Sequence, residues 1–259
     1  MPSPLRSLAL FVFALASFAA AHAADDQPVV ELRIYTTEPG RLDALLARFR
    51  DHTCRLFEKH GMVNLGYWVP LDAGSGAGTT LYYMLGYPSR TVAEASWAAF
   101  RADPDWQAVR QASEAGGKIL ARPPESIFLA ATDYSAALSP AAAGTAPRVF
   151  ELRTYRTPEG KLPALHARFR DHTRRLFEEH GMTNVAYWVP LDERQGAGHT
   201  LIYLLAHDSR DAATTAWKAF RADPAWVAAK AASERDGSLT LPNGVSSVFL
   251  APTDFSPLR

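Results

Sequence analysis

Two histidines, His52 and His172, occupy the same place in one hexapeptide, Arg-Phe-Arg-Asp-His-Thr, which spans residues 48–53 and returns at 168–173. An imidazole titrates near neutrality. Such a pair could act as general bases, grip an acidic ligand, or ligate a metal or haem iron. Each histidine follows a phenylalanine by three residues and precedes a leucine by four, the spacing of one helical stripe. That stripe should face a sheet, so both rings are expected at a sheet–helix contact. A buried histidine satisfied by a carbonyl or carboxylate would give the same pattern. The residues alone leave both readings open.

A second set lies on strands. Glu31, Arg33 and Tyr35 alternate with Val30, Leu32 and Ile34, and the set returns as Glu151, Arg153 and Tyr155. The polar members are expected on the sheet face away from the helices. Arg33 and Arg153 could there anchor a carboxylate-bearing ligand, with Tyr35 and Tyr155 beside them, or simply pair with glutamate, because an unpaired buried charge is costly. Tyr67 and Trp68 point to opposite faces of the next strand. Trp68 and Trp188, with Tyr83 and Trp97, could wall an apolar or aromatic ligand, although aromatics in a small domain are usually core. Asn64, kept as Asn184, shares parity with Trp68 and could orient a carbonyl.

These residues are positioned by a domain that occurs twice. Between Arg41 and Asp72, 24 of 32 positions match the segment 120 residues later without a gap, whereas between Met84 and Ser96 only 4 of 13 do. Identity is concentrated where a site or a shared interface could lie. In each unit, Val29 to Thr36 reads as a half-buried strand, and Pro39-Gly40 breaks it. Leu42, Leu45, Phe49, His52 and Leu56 mark a helix ended by Gly61. Met62 to Leu71 and Thr80 to Tyr87 read as strands around a glycine-rich loop, Gly74 to Gly78. A helix from about Thr91 is interrupted at Asp103-Pro104 and resumes, and Ser126 to Ala130 is a last short strand.

The order βαββαβ is the ferredoxin-like arrangement, an α+β fold with both helices on one sheet face. The other face must be covered, and a second copy covers it economically, by two sheets packed together or closed into a barrel. The expected layout is repeat 1 over 28–134, a linker over 135–147 rich in Ala, Pro, Ser and Gly, and repeat 2 over 148–256. The expected particle is a monomeric pseudo-dimer.

Residues 1–23 read as an export signal: Arg6, an apolar run from Leu8 to Ala20, then Ala21-His-Ala23 as a small-x-small cleavage site. That run of 13 residues is short of the roughly 20 that span a bilayer. A periplasmic or secreted protein without a transmembrane segment after signal removal is expected. The chain carries 27 basic and 27 acidic residues, so it shows no electrostatic footprint for nucleic acid. Its single cysteine, Cys54, excludes an intrachain disulfide and stands opposite Arg174 in the other copy. No dinucleotide fingerprint, phosphate loop, nucleophile elbow or His-Glu-x-x-His is present. The remaining histidines form no metal-ligand pattern. Nothing in the sequence calls for a cofactor.

The ordered set Glu-Leu-Arg-x-Tyr, Phe-Arg-Asp-His, His-Gly-Met, Tyr-Trp-Val and Ala-Asp-Pro-x-Trp, present in both repeats, resembles the NIPSNAP family. The resemblance covers nearly the whole chain after residue 23 and implies a dimeric α/β-barrel. It implies little about activity, since members are mostly of undefined biochemical function. The expected role is binding of a small apolar or aromatic ligand or of a protein partner. The wider superfamily implies an alternative: a cofactor-free monooxygenase-like or isomerase-like enzyme, or a haem-binding protein, using His52 or His172 in a sheet–helix pocket. Fold kinship cannot choose between these.

Overall fold

A computed structural model of the chain describes residues 27–138 and 148–259. The export signal expected over 1–23 and most of the expected linker lie outside the described residues. In the first repeat β1 is Val29–Thr36, β2 Val63–Pro70, β3 Thr80–Tyr87 and β4 Glu125–Ala131. Its helices are α1 (Leu42–Arg48), α2 (Cys54–Lys59), α3 (Arg90–Ala102) and α4 (Pro104–Ser113), and a π turn, Phe49–Thr53, joins α1 to α2. The second repeat follows with β5 (Val149–Arg156), α5 (Leu162–Arg168), a π turn (Phe169–Thr173) and α6 (Arg174–Glu179). It continues through β6 (Thr183–Pro190), β7 (Thr200–His207), α7 (Arg210–Ala222), α8 (Pro224–Ser233) and β8 (Val245–Pro252).

Local chemistry sets several boundaries. Ser89 caps α3 by accepting from the Val92 amide at 3.2 Å, leaving one fewer orphan donor at the helix start. Asp103 ends α3 and caps α4 through the Asp105 amide at 2.9 Å, with Pro104 at the first helical position. This is the break expected from the Asp-Pro pair.

Within each repeat the strands run β4-β1-β3-β2 or β8-β5-β7-β6, all antiparallel. Pairing of β2 with β8 and of β4 with β6 closes one eight-stranded barrel. Trp68 lies opposite Pro252, and Ala131 opposite Trp188. Closure leaves no open sheet edge. The lumen is filled by apolar side chains from both repeats, including Leu32, Trp68, Met84, Leu129, Phe150, Leu152, Trp188 and Leu250. Two further cores lie outside, one between each half-barrel and its helices. The first is built on Leu45, Phe49, Phe57, Tyr83 and Phe100, the second on Leu165, Phe169, Phe177, Tyr203 and Phe220.

Three expectations about side-chain direction are corrected. Glu31, Arg33 and Tyr35 point toward the helices, because the closed lumen takes the apolar face carrying Leu32. Asn64 does not share a face with Trp68. A register shift between Asn64 and Gly66 inserts an extra residue, so Asn64 sides with Tyr67 under the helices while Trp68 enters the lumen. Asn184 and Trp188 repeat the pattern.

His52 and His172 are exposed on the outer surface rather than facing the sheet. The π turn is the cause. The Cys54 amide bonds back to the Phe49 carbonyl, and the Thr53 hydroxyl donates to the Arg48 carbonyl at 3.0 Å. One added residue turns Phe49 and Thr53 inward and His52 out. The second repeat does the same through Phe169, Thr173 and His172.

Candidate functional site

On β1, Glu31, Arg33 and Tyr35 form a row beneath α3 and α4. The Glu31 carboxylate is buried and fully engaged. It accepts from Arg33 Nη1 and Ser126 Oγ at 2.5 Å each, from Trp97 Nε1 at 2.6 Å and from Tyr87 Oη at 2.9 Å. A buried carboxylate is tolerable only with such partners. Its role is to hold Arg33, whose guanidinium carbon sits over the Trp97 ring, 4.2 Å from the centroid. Tyr35 flanks it with its hydroxyl 3.5 Å from Nη2. Burial works against the charge on Arg33, but nearby Tyr83, Tyr35 and Glu31 outweigh it and raise its pKa. The guanidinium stays charged.

Above this row opens a cavity of about 600 Å³. Its walls are the rings of Tyr35, Trp97, Phe100 and Trp106, with Trp106 packed on Phe100 at 4.5 Å between centroids. Its rim carries Arg48, Arg101, Arg110, Lys118 and Arg122, against the single carboxylate of Glu114. Glu114 is shared by Arg48 at 3.3 Å and Arg110 at 3.5 Å. Burial lowers the pKa of Arg48, and Glu114 partly offsets this.

The second repeat builds the same cavity, again about 600 Å³, from Arg153, Tyr155, Trp217, Phe220, Arg221, Trp226, Lys230 and Glu234. Arg153 lies 4.3 Å from the Trp217 centroid, and Trp226 packs on Phe220 at 4.5 Å. Two details differ. Arg153 Nε donates to Tyr203 Oη at 2.9 Å. His207 replaces Tyr87 and meets Glu151 Oε2 at 3.1 Å. Burial pushes the Glu151 carboxyl up, but His207, Arg153, Ser247 and Trp217 outweigh it and bring it down to about 2.

The structure thus gathers Arg33 with Tyr35 and Trp97, and Arg153 with Tyr155, but not the candidate asparagines, histidines, Trp68, Trp188 or Tyr83. Asn64 fastens β2 to the helix above: it accepts from Tyr67 and donates to the Cys54 carbonyl at 3.0 Å and to Glu58 at 2.9 Å. Asn184 does the same with Tyr187, Arg174 and Glu178. Trp68 and Trp188 are lumen core. His52 borders a separate groove between α1 and α4, lined by four alanines, Val109 and polar residues. Arg48 and Trp106 were missed as site residues. Both lie in segments that recur between the repeats, Arg-Phe-Arg-Asp-His-Thr and Ala-Asp-Pro-x-Trp, and that recurrence was the available signal. Among the described residues no group of three or more His, Cys, Asp or Glu is placed to hold a metal ion.

A closed barrel of two βαββαβ repeats, with a cationic aromatic cavity under each helical layer, defines a single-chain dimeric α/β-barrel protein. The chain belongs to the NIPSNAP family, whose model matches residues 30–136 and 150–257. A NIPSNAP family protein of unknown function from Agrobacterium tumefaciens shares 24% identity at a TM-score of 0.38, over 45% of this chain and 98% of its own. That coverage is one repeat. A provisionally named monooxygenase from Lactobacillus acidophilus NCFM aligns over 87% of this chain and 94% of its own, with 12% identity and a TM-score of 0.54. An anthrone oxidase-like protein covers 91% of this chain and 96% of its own, with 15% identity and a TM-score of 0.54. The last two share the whole two-repeat fold. A comparison with curated proteins finds no match.

Proposed function

We propose that the protein binds small molecules with an aromatic or apolar body and an anionic group, one in each sheet–helix cavity. The observation that carries this reading is Arg33 held on the Trp97 ring at the base of an aromatic cavity, and built again as Arg153 on Trp217. A cavity of this size, mostly apolar with a few fixed polar groups, suits a small ligand. Glu31 orients the guanidinium, so little ordering is left to oppose binding.

A catalytic reading based on His52 or His172 draws no support from their outward placement. The monooxygenase and oxidase names of structural neighbours belong to those proteins. We also propose, on the pattern of residues 1–23, that the protein acts after export as a monomeric pseudo-dimer.

The test is calorimetric titration with naphthalene-2-carboxylate and with its neutral amide. The carboxylate should bind, with up to two molecules per chain, and the amide should bind more weakly. Equal affinity for acid and amide would remove arginine anchoring from the account. No binding of either would remove the small-ligand reading altogether.

A further inference from the structure

The two cavities share a base but not a rim. In the first, the segment after α4 adds Lys118 and Arg122 to a rim that also carries Arg48, Arg101 and Arg110. In the second, Arg221 and Lys230 stand where Arg101 and Arg110 do, Arg168 meets Glu234 and Trp226 as Arg48 meets Glu114 and Trp106, and no residue of the corresponding segment lines the cavity. The sequence explains the difference. Lys118 is matched by Ser238, and Ile119 by Leu239, both of the latter pair being core. Ser126 lies opposite Arg33 and Ser247 opposite Arg153, so the second segment is one residue longer. Arg122 therefore aligns with Pro242 or Asn243, both neutral. Asn243 takes a left-handed backbone, with φ of 56°.

Arg122 is held at the rim: it pairs with Glu125 at 2.8 Å and donates to Thr36 Oγ1 at 3.0 Å. Lys118 is exposed beside it and makes no ion pair with the described residues. The first cavity thus has two separated positive regions, Arg33 at the base and Lys118 with Arg122 at the mouth, with the aromatic rings of Trp97, Phe100 and Trp106 between them.

We infer that the first cavity selects elongated aromatic dianions, whose ends carry two anionic groups, while the second takes monoanions. This rests on the proposed anion binding at Arg33 and Arg153 and assigns different ligand classes to the two repeats. The region where the copies diverge is then a specificity element grafted onto a shared anchor.

The experiment compares terephthalate with its monomethyl ester, which has the same ring and one charge fewer, by calorimetric titration of the full chain. The diacid should bind one site about tenfold more tightly than the ester, the scale of a pair of added exposed charge contacts, and that advantage should shrink with salt. In Lys118→Ser the diacid-to-ester affinity ratio should fall toward one. In Ser238→Lys a second high-affinity diacid site should emerge. Thermal melts of both variants establish that they are folded, as expected for exposed positions. Ester binding with no diacid preference overturns this inference while leaving the proposed function standing. A preference that survives Lys118→Ser also overturns it. Failure of both compounds to bind defeats the proposed function and this inference together.

Discussion

The indole Nε1 of Trp97 donates to Glu31 Oε2 at 2.6 Å, and the same indole carries the Arg33 guanidinium on its face. Trp97 thus joins helix to strand through one buried carboxylate and holds the cation that the carboxylate neutralises. Trp217 makes the same two contacts with Glu151, at 2.7 Å, and with Arg153. The same three-residue device is thus built twice per chain.

Removing the charge at its centre should be expensive. Glu31→Gln leaves Arg33 buried without a counterion and misplaces at least one of four donors. The expected loss is about 3 kcal/mol, in the range for breaking a buried pair from one side. Trp97→Phe keeps an aromatic side chain but removes the N–H and part of the ring surface under Arg33, and should cost about 1–2 kcal/mol. Urea unfolding of the two variants checks this ordering. A Glu31→Gln protein as stable as the parent would show that the carboxylate does not organise the site.

Acid sensitivity should trace partly to Glu151. Its folded carboxyl titrates at about 2, against 4.5 ordinarily. A depressed pKa means that the unfolded chain binds the proton more readily. The associated stability is complete above about pH 4.5 and is lost as pH falls toward 2. The shift corresponds to about 3 kcal/mol. In Glu151→Gln this component of the acid transition should vanish, leaving a flatter stability profile between pH 5 and 2 by circular dichroism. An unchanged profile would locate the acid sensitivity elsewhere.

His52→Ala and His172→Ala should be nearly silent. Both rings are exposed on the outer side of a π turn, and surface substitutions of this kind usually change stability by no more than about 0.5 kcal/mol. Ligand affinity in the double variant should match the parent. A loss of binding in a stably folded double variant would return the histidines to the site and move the binding position to the groove beside α1.

Much of the frame could be read directly from the residues. The repeat, the strand from Val29 to Thr36, the strand from Thr80 to Tyr87 and the helix break at Asp103-Pro104 were all legible, because hydrophobic period, Pro and capping Asp are local signals. The direction of β1 was not. Alternation separates Glu31, Arg33 and Tyr35 from Leu32 but does not say which face looks into the lumen, and the closed barrel decides that. The two phase errors have a common origin. A register shift at Asn64 and a π turn at Phe49 each add one residue to a regular period; the π turn has no proline or glycine to mark it, and the shift has Gly66 in one repeat but Ala186 in the other. Every side chain read across such a point is assigned to the wrong face, as His52 and Asn64 were.

Each repeat should depend on the other. The lumen packs Trp68 against Phe150 from the opposite repeat, with ring centroids 5.6 Å apart, and only the β2–β8 and β4–β6 pairings close the barrel. The two repeats also exchange reciprocal ion pairs, Arg90 with Asp192 at 2.9 Å and Arg210 with Asp72 at 3.0 Å. An isolated segment covering 28–134 would expose an apolar sheet face and two unpaired edges, β2 and β4. Those edges are complementary to copies of themselves, because β8 is the counterpart of β4 and β6 that of β2. The isolated repeat should therefore dimerise through a two-fold barrel or aggregate, whereas the full chain should run as a compact monomer. Size-exclusion chromatography with light scattering distinguishes these states. A soluble, monomeric single repeat with a cooperative melt would show that barrel closure is dispensable and that the pseudo-dimer is not the folding unit.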